Sequence, residues 1–318
     1  MLQHSIELDK KTRRSTDFKR KLEFVKSNIF LYGLIAPAFI LTLLFKYVPM
    51  YGVIIAFKDF SYSKGILGSD WVGFKFFEKF LNAPNFELIF MNTLKLSAYG
   101  LLLGFPIPIL LALMLNQVRK EGVKKNVQLI LYAPNFISVV VIVGMAFVFL
   151  SPIGPVNQII TWATGHPIVF MSDPDYFRSI YVLSGIWQGA GWASIIYVAA
   201  LAGVDPELHN AATIDGANLL KRIWHIDLPT IKPVMAIVFI LSAGGIMAIG
   251  FEKAFLMQTA MNLPTSEILP TYVYKVGLKA GDYSYSAAIG LFNSIINIIL
   301  LVFVNFVVKK LNEGEGLY

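Results

Sequence analysis

The side chains that could do chemistry in this chain gather in one polar stretch. It reads Asp205-Pro206-Glu207-Leu208-His209-Asn210-Ala211-Ala212-Thr213-Ile214-Asp215-Gly216-Ala217 and runs on to Leu228-Pro229. Its chemistry is gripping rather than bond making. Asp205 is a natural N-cap, Pro206 suits the first helical position, and Glu207 complements the positive end of a helix. Asn210, Ala211 and Ala212 give that helix a small face for close approach, and Gly216 can take the positive φ that turns a chain sharply. A second helix follows, with Leu219, Leu220, Ile223 and Trp224 at helical spacing, Lys221, Arg222 and His225 on its other faces, and Pro229 expected to end it. One side of this hairpin can rest on its own protein while the other meets a soluble partner.

Nothing else assembles into a catalytic centre. His4, His166, His209 and His225 lie far apart, with no His-x-x-x-His or His-Glu pattern, and no Gly-x-x-x-x-Gly-Lys-Ser/Thr loop is present to cradle phosphates. A Gly-x-Ser-x-Gly elbow is missing as well. The chain has no cysteine, so disulfides and thiolate metal sites are excluded. No catalytic residue, no metal site and no cofactor of the chain's own is expected. Such a chain reads as a subunit of a transporter, channel or receptor.

The elements that must hold the hairpin follow from composition. With 56% hydrophobic and 15% charged residues in 318, and a mean hydropathy of +0.63, the chain cannot bury its apolar surface in one soluble core. Hydrocarbon about 30 Å thick needs roughly 20 apolar residues of helix. Six segments satisfy this: Phe30 to Val48, Ile89 to Leu115, Val127 to Leu150, Phe177 to Ala202, Pro229 to Ile249 and Tyr285 to Val308. The expected fold is an all-α membrane protein of six transmembrane helices. The first apolar segment is long enough to stay in the membrane as an anchor rather than serve as a cleaved signal.

Basic residues orient the chain, because short positively charged loops remain in the cytoplasm. The N-terminal arm carries Lys10, Lys11, Arg13, Arg14, Lys19, Arg20, Lys21 and Lys26, and the turn after the second segment carries Arg119, Lys120, Lys124 and Lys125. Both termini, and with them the hairpin, are expected in the cytoplasm of a multi-pass plasma-membrane protein. The expected division is a basic arm over 1–28, a six-span domain over 29–308 with the hairpin at 203–228, and a tail over 309–318. The net charge of +7 reads as this orientation signal beside anionic membrane lipid, not as a nucleic-acid footprint.

The hairpin resembles the EAA loop of type I ABC importer permeases, which reads Glu-Ala-Ala, then Asp-Gly-Ala, then Ile-x-Leu-Pro. Here Ala211-Ala212, Asp215-Gly216-Ala217 and Ile226-Asp227-Leu228-Pro229 stand at the family spacing. The resemblance implies that Glu207, Asn210, Ala211, Ala212, Asp215, Gly216, Ala217, Leu228 and Pro229 form a coupling element that docks in a groove of a cytoplasmic ATPase. Where that family carries Glu this chain has Asn210, which cannot make a charge-assisted bond to an Arg or Lys of the ATPase. Pro49-Met50-Tyr51-Gly52, Trp71-Val72-Gly73, Gly104-Phe105-Pro106, Leu113-Met114-Leu115-Asn116 and Gly250-Phe251-Glu252-Lys253 are similar to the carbohydrate branch, and within it to LplB-like permeases for oligosaccharides or polysaccharides. The implied fold is the compact six-span permease. The implied partners are a homologous second permease, two cytoplasmic subunits that bind ATP and Mg, and an extracytoplasmic solute-binding protein that delivers a sugar.

Polar groups inside spans face a cavity or a neighbouring helix, because lipid cannot satisfy them. Sugars offer hydroxyls to amides and C–H faces to aromatic rings, so Gln188 with Trp187 and Trp192 is one candidate sugar contact. Asn293 and Asn297, spaced i,i+4 on one helix face, are a second, and Asn135 is a third. Hydrogen bonding between helices is the competing role for each. Gly185, Gly189, Gly191, Gly244 and Gly245 are expected to permit close helix packing. Glu252 and Lys253 either line a gate or pair with each other. The rival class, a self-contained secondary transporter or channel, would call for an intramembrane carboxylate or paired broken helices.

Overall fold

The computed structural model describes residues 24, 26–247 and 249–311. The basic arm through Lys21 and the tail from 312 lie outside the described residues. The chain divides into two compact units, residues 1–54 and 55–318. The first holds α1 (Ile29–Thr42) and a π turn (Leu43–Tyr47), and the 3-10 stretch (Val48–Phe57) that follows spans the division, the whole helical run being 29 residues.

The second unit opens with a two-stranded antiparallel ribbon, β1 (Lys58–Asp59) on β2 (Asp70–Trp71), and then α2 (Lys75–Leu81). The helices that follow are α3 (Phe86–Gly104), α4 (Pro106–Asn116), α5 (Glu121–Tyr132), α6 (Val139–Phe149), α7 (Pro155–Thr164) and α8 (Pro174–Leu201). The hairpin helices α9 (Pro206–Ile214) and α10 (Leu219–Arg222) lead to α11 (Leu228–Gly244), α12 (Phe251–Met257), α13 (Leu269–Tyr274) and α14 (Tyr283–Leu311). Among the described residues five helical runs are long and apolar enough to cross a membrane, and a bent pair makes up to six.

That bent pair corrects the third expected span. Val127 to Leu150 is not one crossing helix: Glu121–Phe136 and Val139–Phe149 meet at 97°. Pro134 has no N–H to continue the ladder, and the chain tightens there into a 3-10 turn before Ser138 caps the next helix by accepting from Val141 N at 3.4 Å. Two further boundaries shift. Pro229 does not end the hairpin's second helix, because a π turn (Ile223–Asp227) widens the backbone ahead of it and the helical run continues from Leu219 to Gly244. At the other end α11 stops at Gly244, short of the expected Ile249.

The core of this unit has three apolar clusters. One centres on Phe80, Ile89, Met247, Leu269 and Ile289, the next on Leu96, Val143, Phe177, Met257 and Ile268, and the last on Ile109, Leu113, Tyr197, Leu201 and Ile231. The connection between α11 and α14 is no surface loop, since Ala254, Met257, Ile268 and Leu269 are all core residues. Its main chain is tied in by buried amides. Asn92 Nδ2 donates to Pro264 O at 2.9 Å and Glu267 O at 3.2 Å, and Asn262 Nδ2 donates to Met171 O at 2.9 Å and Met257 O at 3.0 Å.

Two glycines of α8 separate cleanly. A Cβ on Gly191 would lie 2.0 Å from the Leu131 carbonyl oxygen, whereas one on Gly189 would meet nothing within 4 Å. Gly191→Ala is therefore expected to cost roughly 1–3 kcal/mol by forcing α5 off α8. A lowered thermal unfolding midpoint for Gly191→Ala, with Gly189→Ala unchanged beside it, is the measurement.

Candidate functional site: the polar hairpin and the groove above it

The hairpin is specified locally. Asp205 Oδ1 accepts from Glu207 N at 2.9 Å and Pro206 occupies the first turn of α9. At the other end Gly216 takes φ 76°, Gly216 N donates to Thr213 O at 3.1 Å and Ala217 N donates to Ala212 O at 2.8 Å. These two bonds are the paired closure of a helix by a left-handed residue, so Gly216 is needed for its backbone conformation, while Ala212 and Ala217 contribute only main-chain groups to it. Asn218 then caps α10, accepting from Lys221 N at 2.9 Å.

Longer ties brace it. Arg222 Nη1 donates to Thr213 Oγ1 at 3.2 Å, joining α10 to α9. Asp227, fully buried, has His209 Nε2 at 3.2 Å from Oδ1 and accepts from Gln117 Nε2 at 3.2 Å on Oδ2, joining the hairpin to the end of α4. The histidine contact is off the line of a hydrogen bond, since Oδ1 has no directed donor, and it is an ion pair only when His209 carries a proton on both ring nitrogens. Apolar side chains project from this braced frame: Ile214 is 87% exposed, Leu220 74% and Trp224 69%. Asn210, Ala211 and Asp215 are exposed with them.

Above the hairpin two adjoining cavities run along α8. One of about 290 Å³ is lined by Ser97, Tyr197, Val238, Ser242 and Gly245, and the other, of about 380 Å³, by Tyr181, Gly185, Gln188, Gly189 and Lys253. They share Gly100, Gly104 and Ala193, so they form one groove between α3, α8 and α11. From Tyr181 to Tyr197 the groove follows α8 for about 24 Å, at 1.5 Å per residue. Lys253, in the connection after α11, is buried; its Nζ donates to Tyr181 O at 2.8 Å and lies 4.9 Å from the Tyr181 ring centre. Burial pushes its ammonium down to about 8, which leaves it protonated at neutral pH.

Residues 104–313 match the family model described as "Binding-protein-dependent transport system inner membrane component". The chain belongs to this family. It is 46% identical over 303 residues, 94% of both chains, to the polygalacturonan/rhamnogalacturonan transport system permease protein YteP of Bacillus subtilis (strain 168). It is 43% identical to protein LplB of the same organism, over 92% of each. Among solved structures it matches a chain of the bacterial ABC transporter involved in import of the acidic polysaccharide alginate, with a TM-score of 0.84, 37% identity, and coverage of 92% of this chain and 99% of that one. This permease is therefore a non-catalytic membrane subunit of an ABC importer with the type I permease fold.

Within the permease the expected site residues divide. All of the hairpin residues from Glu207 to Ala217 stand on α9 and the turn after it, with Leu228 and Pro229 past the π turn. Of the candidate sugar contacts, Gln188 lines the groove, though its Nε2 donates to Ile137 O at 2.9 Å across the break between α5 and α6. Trp187 and Trp192 are half exposed and do not line it; Trp192 packs edge-on against Phe136 at 5.7 Å. Asn297 Oδ1 accepts from Met247 N at 2.9 Å, and Asn293 Nδ2 reaches Met247 O at 3.4 Å, so both hold the turn after α11. Asn135 lies half-buried in the 3-10 turn and is no lining residue of either cavity.

Groove residues that the sequence reading passed over include Ser97, Tyr181 and Ser242. Glycines at helical spacing, Gly100 with Gly104 and Gly185 with Gly189, are the signal that could have found them. A Cβ at Gly100, Gly104 or Gly189 would meet nothing within 4 Å, so these positions open space, while Gly191 and Gly244 do serve close packing. His209, Gln117 and Asp227 likewise form a tie that spacing does not reveal. Asp227→Ala removes the shared acceptor and is expected to loosen the hairpin by roughly 1–3 kcal/mol. Faster amide hydrogen exchange over 206–227 in the assembled transporter, with exchange in α8 unchanged, would register it.

Proposed function

We propose that this permease passes an oligosaccharide derived from a larger polysaccharide along the groove between α3, α8 and α11, driven through the hairpin by a cytoplasmic ATPase. The observation that carries the reading is the hairpin itself. It is braced to the body at Asp227, yet presents Ile214, Leu220 and Trp224 to solvent between two membrane-crossing helices. A braced frame with an apolar exposed tip is what a docking lever needs, since tip and spans must move together.

In this reading Glu207, Asn210, Ala211, Ala212, Asp215, Gly216 and Ala217 meet the ATPase, with Leu228 and Pro229 carrying the thrust into α11. Two such ATPases bind ATP and Mg, a homologous permease supplies the other half of the path, and an external binding protein delivers the sugar. The alginate transporter solved with its pentasaccharide-bound periplasmic protein supports a delivery partner of that kind. Both termini lie in the cytoplasm, with the arm over 1–28 and the tail over 309–318 flanking the membrane domain over 29–308. A sugar cargo is supported by the relatives' names, which span polygalacturonan, rhamnogalacturonan and arabinooligosaccharides.

Reconstitution tests the reading. Oligosaccharide uptake into proteoliposomes is expected only when this permease, its partner chains and ATP are all present, and uptake by this chain alone would overturn it. Coupling has its own variant. Gly216 holds φ 76° with open space around it, so Gly216→Val strains the backbone rather than colliding with a neighbour. A left-handed non-glycine residue costs roughly 1–2 kcal/mol, more for a branched one. The variant is expected to insert and assemble but to hydrolyse ATP without matching uptake. Uptake per ATP equal to wild type would remove the hairpin from the mechanism.

A further inference from the structure

We propose that Lys253 is the anion-recognising group of the groove, and that the sugar this permease takes carries carboxylates, as an oligosaccharide of uronate residues does. The inference rests on the groove being the sugar path and adds the chemistry of its cargo.

Among the described residues only two charged side chains are buried, Asp227 and Lys253, and they are treated oppositely. Asp227 accepts from Gln117 on Oδ2 and has the His209 ring 3.2 Å from Oδ1, which no donor is aimed at. Lys253 is 7% exposed and pairs with no carboxylate among the described residues. Its partners are one carbonyl, Tyr181 O, and the face of one ring. Glu252, its neighbour in sequence, is exposed. An ammonium has three donors, and the single carbonyl takes one. A buried cation short of an anion is costly, and a methionine of similar length would fill the same volume without that cost.

Space is left for an anion beside it. A Cβ on Gly185 would stand 3.1 Å from Lys253 Nζ, so that glycine keeps the head group clear, and Gly100, Gly104 and Gly189 open the cavity along α3 and α8. The basic group of α8 itself, Arg178, stands away from the groove: its Nη2 donates to Asn92 Oδ1 at 2.9 Å, its buried Nε has no hydrogen-bond partner, and it lines neither cavity. Lys253 is thus the cation that stands in the groove. Its single charge suits a single carboxylate at a time. The length of the groove suits a chain of sugars that presents one carboxylate after another as it passes.

The test uses the complete importer in lipid nanodiscs, without its binding protein, so that delivery does not impose its own selectivity. Trigalacturonate and the same trisaccharide with its carboxyls reduced to alcohols are the probes, and binding of each is measured with wild type, Lys253→Met and Lys253→Arg. Charge-assisted hydrogen bonds support a preference of roughly ten- to hundredfold for the acid in wild type. Lys253→Met should lose most of that preference, the acid losing at least tenfold more than the reduced probe, and Lys253→Arg should keep most of it. Equal binding of the two probes by wild type, an acid preference that survives in Lys253→Met, or an equal loss of both probes in that variant would overturn the proposal. If the wild-type importer binds neither probe and transports no oligosaccharide with ATP and binding protein present, the sugar-path reading falls first and this one with it.

Discussion

A main-chain N–H or C=O released from a helix at membrane depth has no water to turn to, and the architecture of this permease depends on answering each such release. The spans are not continuous rods. The chain breaks after α5 at Pro134 and after α11 at Gly244, and at each break an amide side chain from another helix takes the loose group. Gln188 of α8 donates to Ile137 O, and Asn297 of α14 accepts from Met247 N. Unpaired groups in hydrocarbon cost several kcal/mol each, so these amides decide whether a broken span can exist there at all. Buried Asn157 does the same at the turns around α7, donating to Ser151 O and Ile168 O at 2.8 Å and accepting from Ile168 N at 2.8 Å.

Breaks held in this way are also what makes the groove. Some of the glycines serve close packing, as Gly191 packs on Leu131 and Gly244 on Leu301. Where the helices bend and end early, the glycines of α3 and α8 face space instead, and the groove opens between them. Polar lining then follows from necessity more than from cargo: Ser97 Oγ donates to Thr93 O at 2.7 Å, and Gln188 serves the break first. Lys253 is different because no structural debt explains its charge.

The caps and the turn of the hairpin were legible in the sequence because the bonds that shape them are local. The cap at Asp205 reaches two residues, the cap at Asn218 three, and the turn at Gly216 closes within its own helix end. Hydropathy located the spans by length and composition, but neither the 97° bend in the third nor the early stop of α11 at Gly244 was legible that way. The roles of the span amides were not legible, because their partners lie 51 residues away for Gln188 and 50 for Asn297, and a side chain that caps a distant break looks like one that waits for a sugar. The same holds for Lys253, whose partner Tyr181 is 72 residues distant, and for Gln117 and Asp227, separated by 110. Spacing on one helix reports which face a residue shares. It carries no account of what arrives opposite that face.

Lever and groove are continuous in the chain, and that continuity is what gives the proposed mechanism its mechanical sense. α8 runs unbroken for 28 residues from Pro174 to Leu201, lining the groove along its middle, and α9 begins after a connection of only a few residues. On the return, the helical run from Leu219 to Gly244 leaves the hairpin and lines the groove at Val238 and Ser242. Between tip and groove the first limb has the short non-helical connection at 202–205, and the second has the π turn at Ile223–Asp227 and Pro233 inside α11; the His209–Asp227–Gln117 tie fixes the π turn to α4. In the proposed mechanism the tie limits how much of a hairpin displacement the π turn absorbs, and the helical parts of the two limbs carry the remainder toward α8 and α11, two of the walls of the groove.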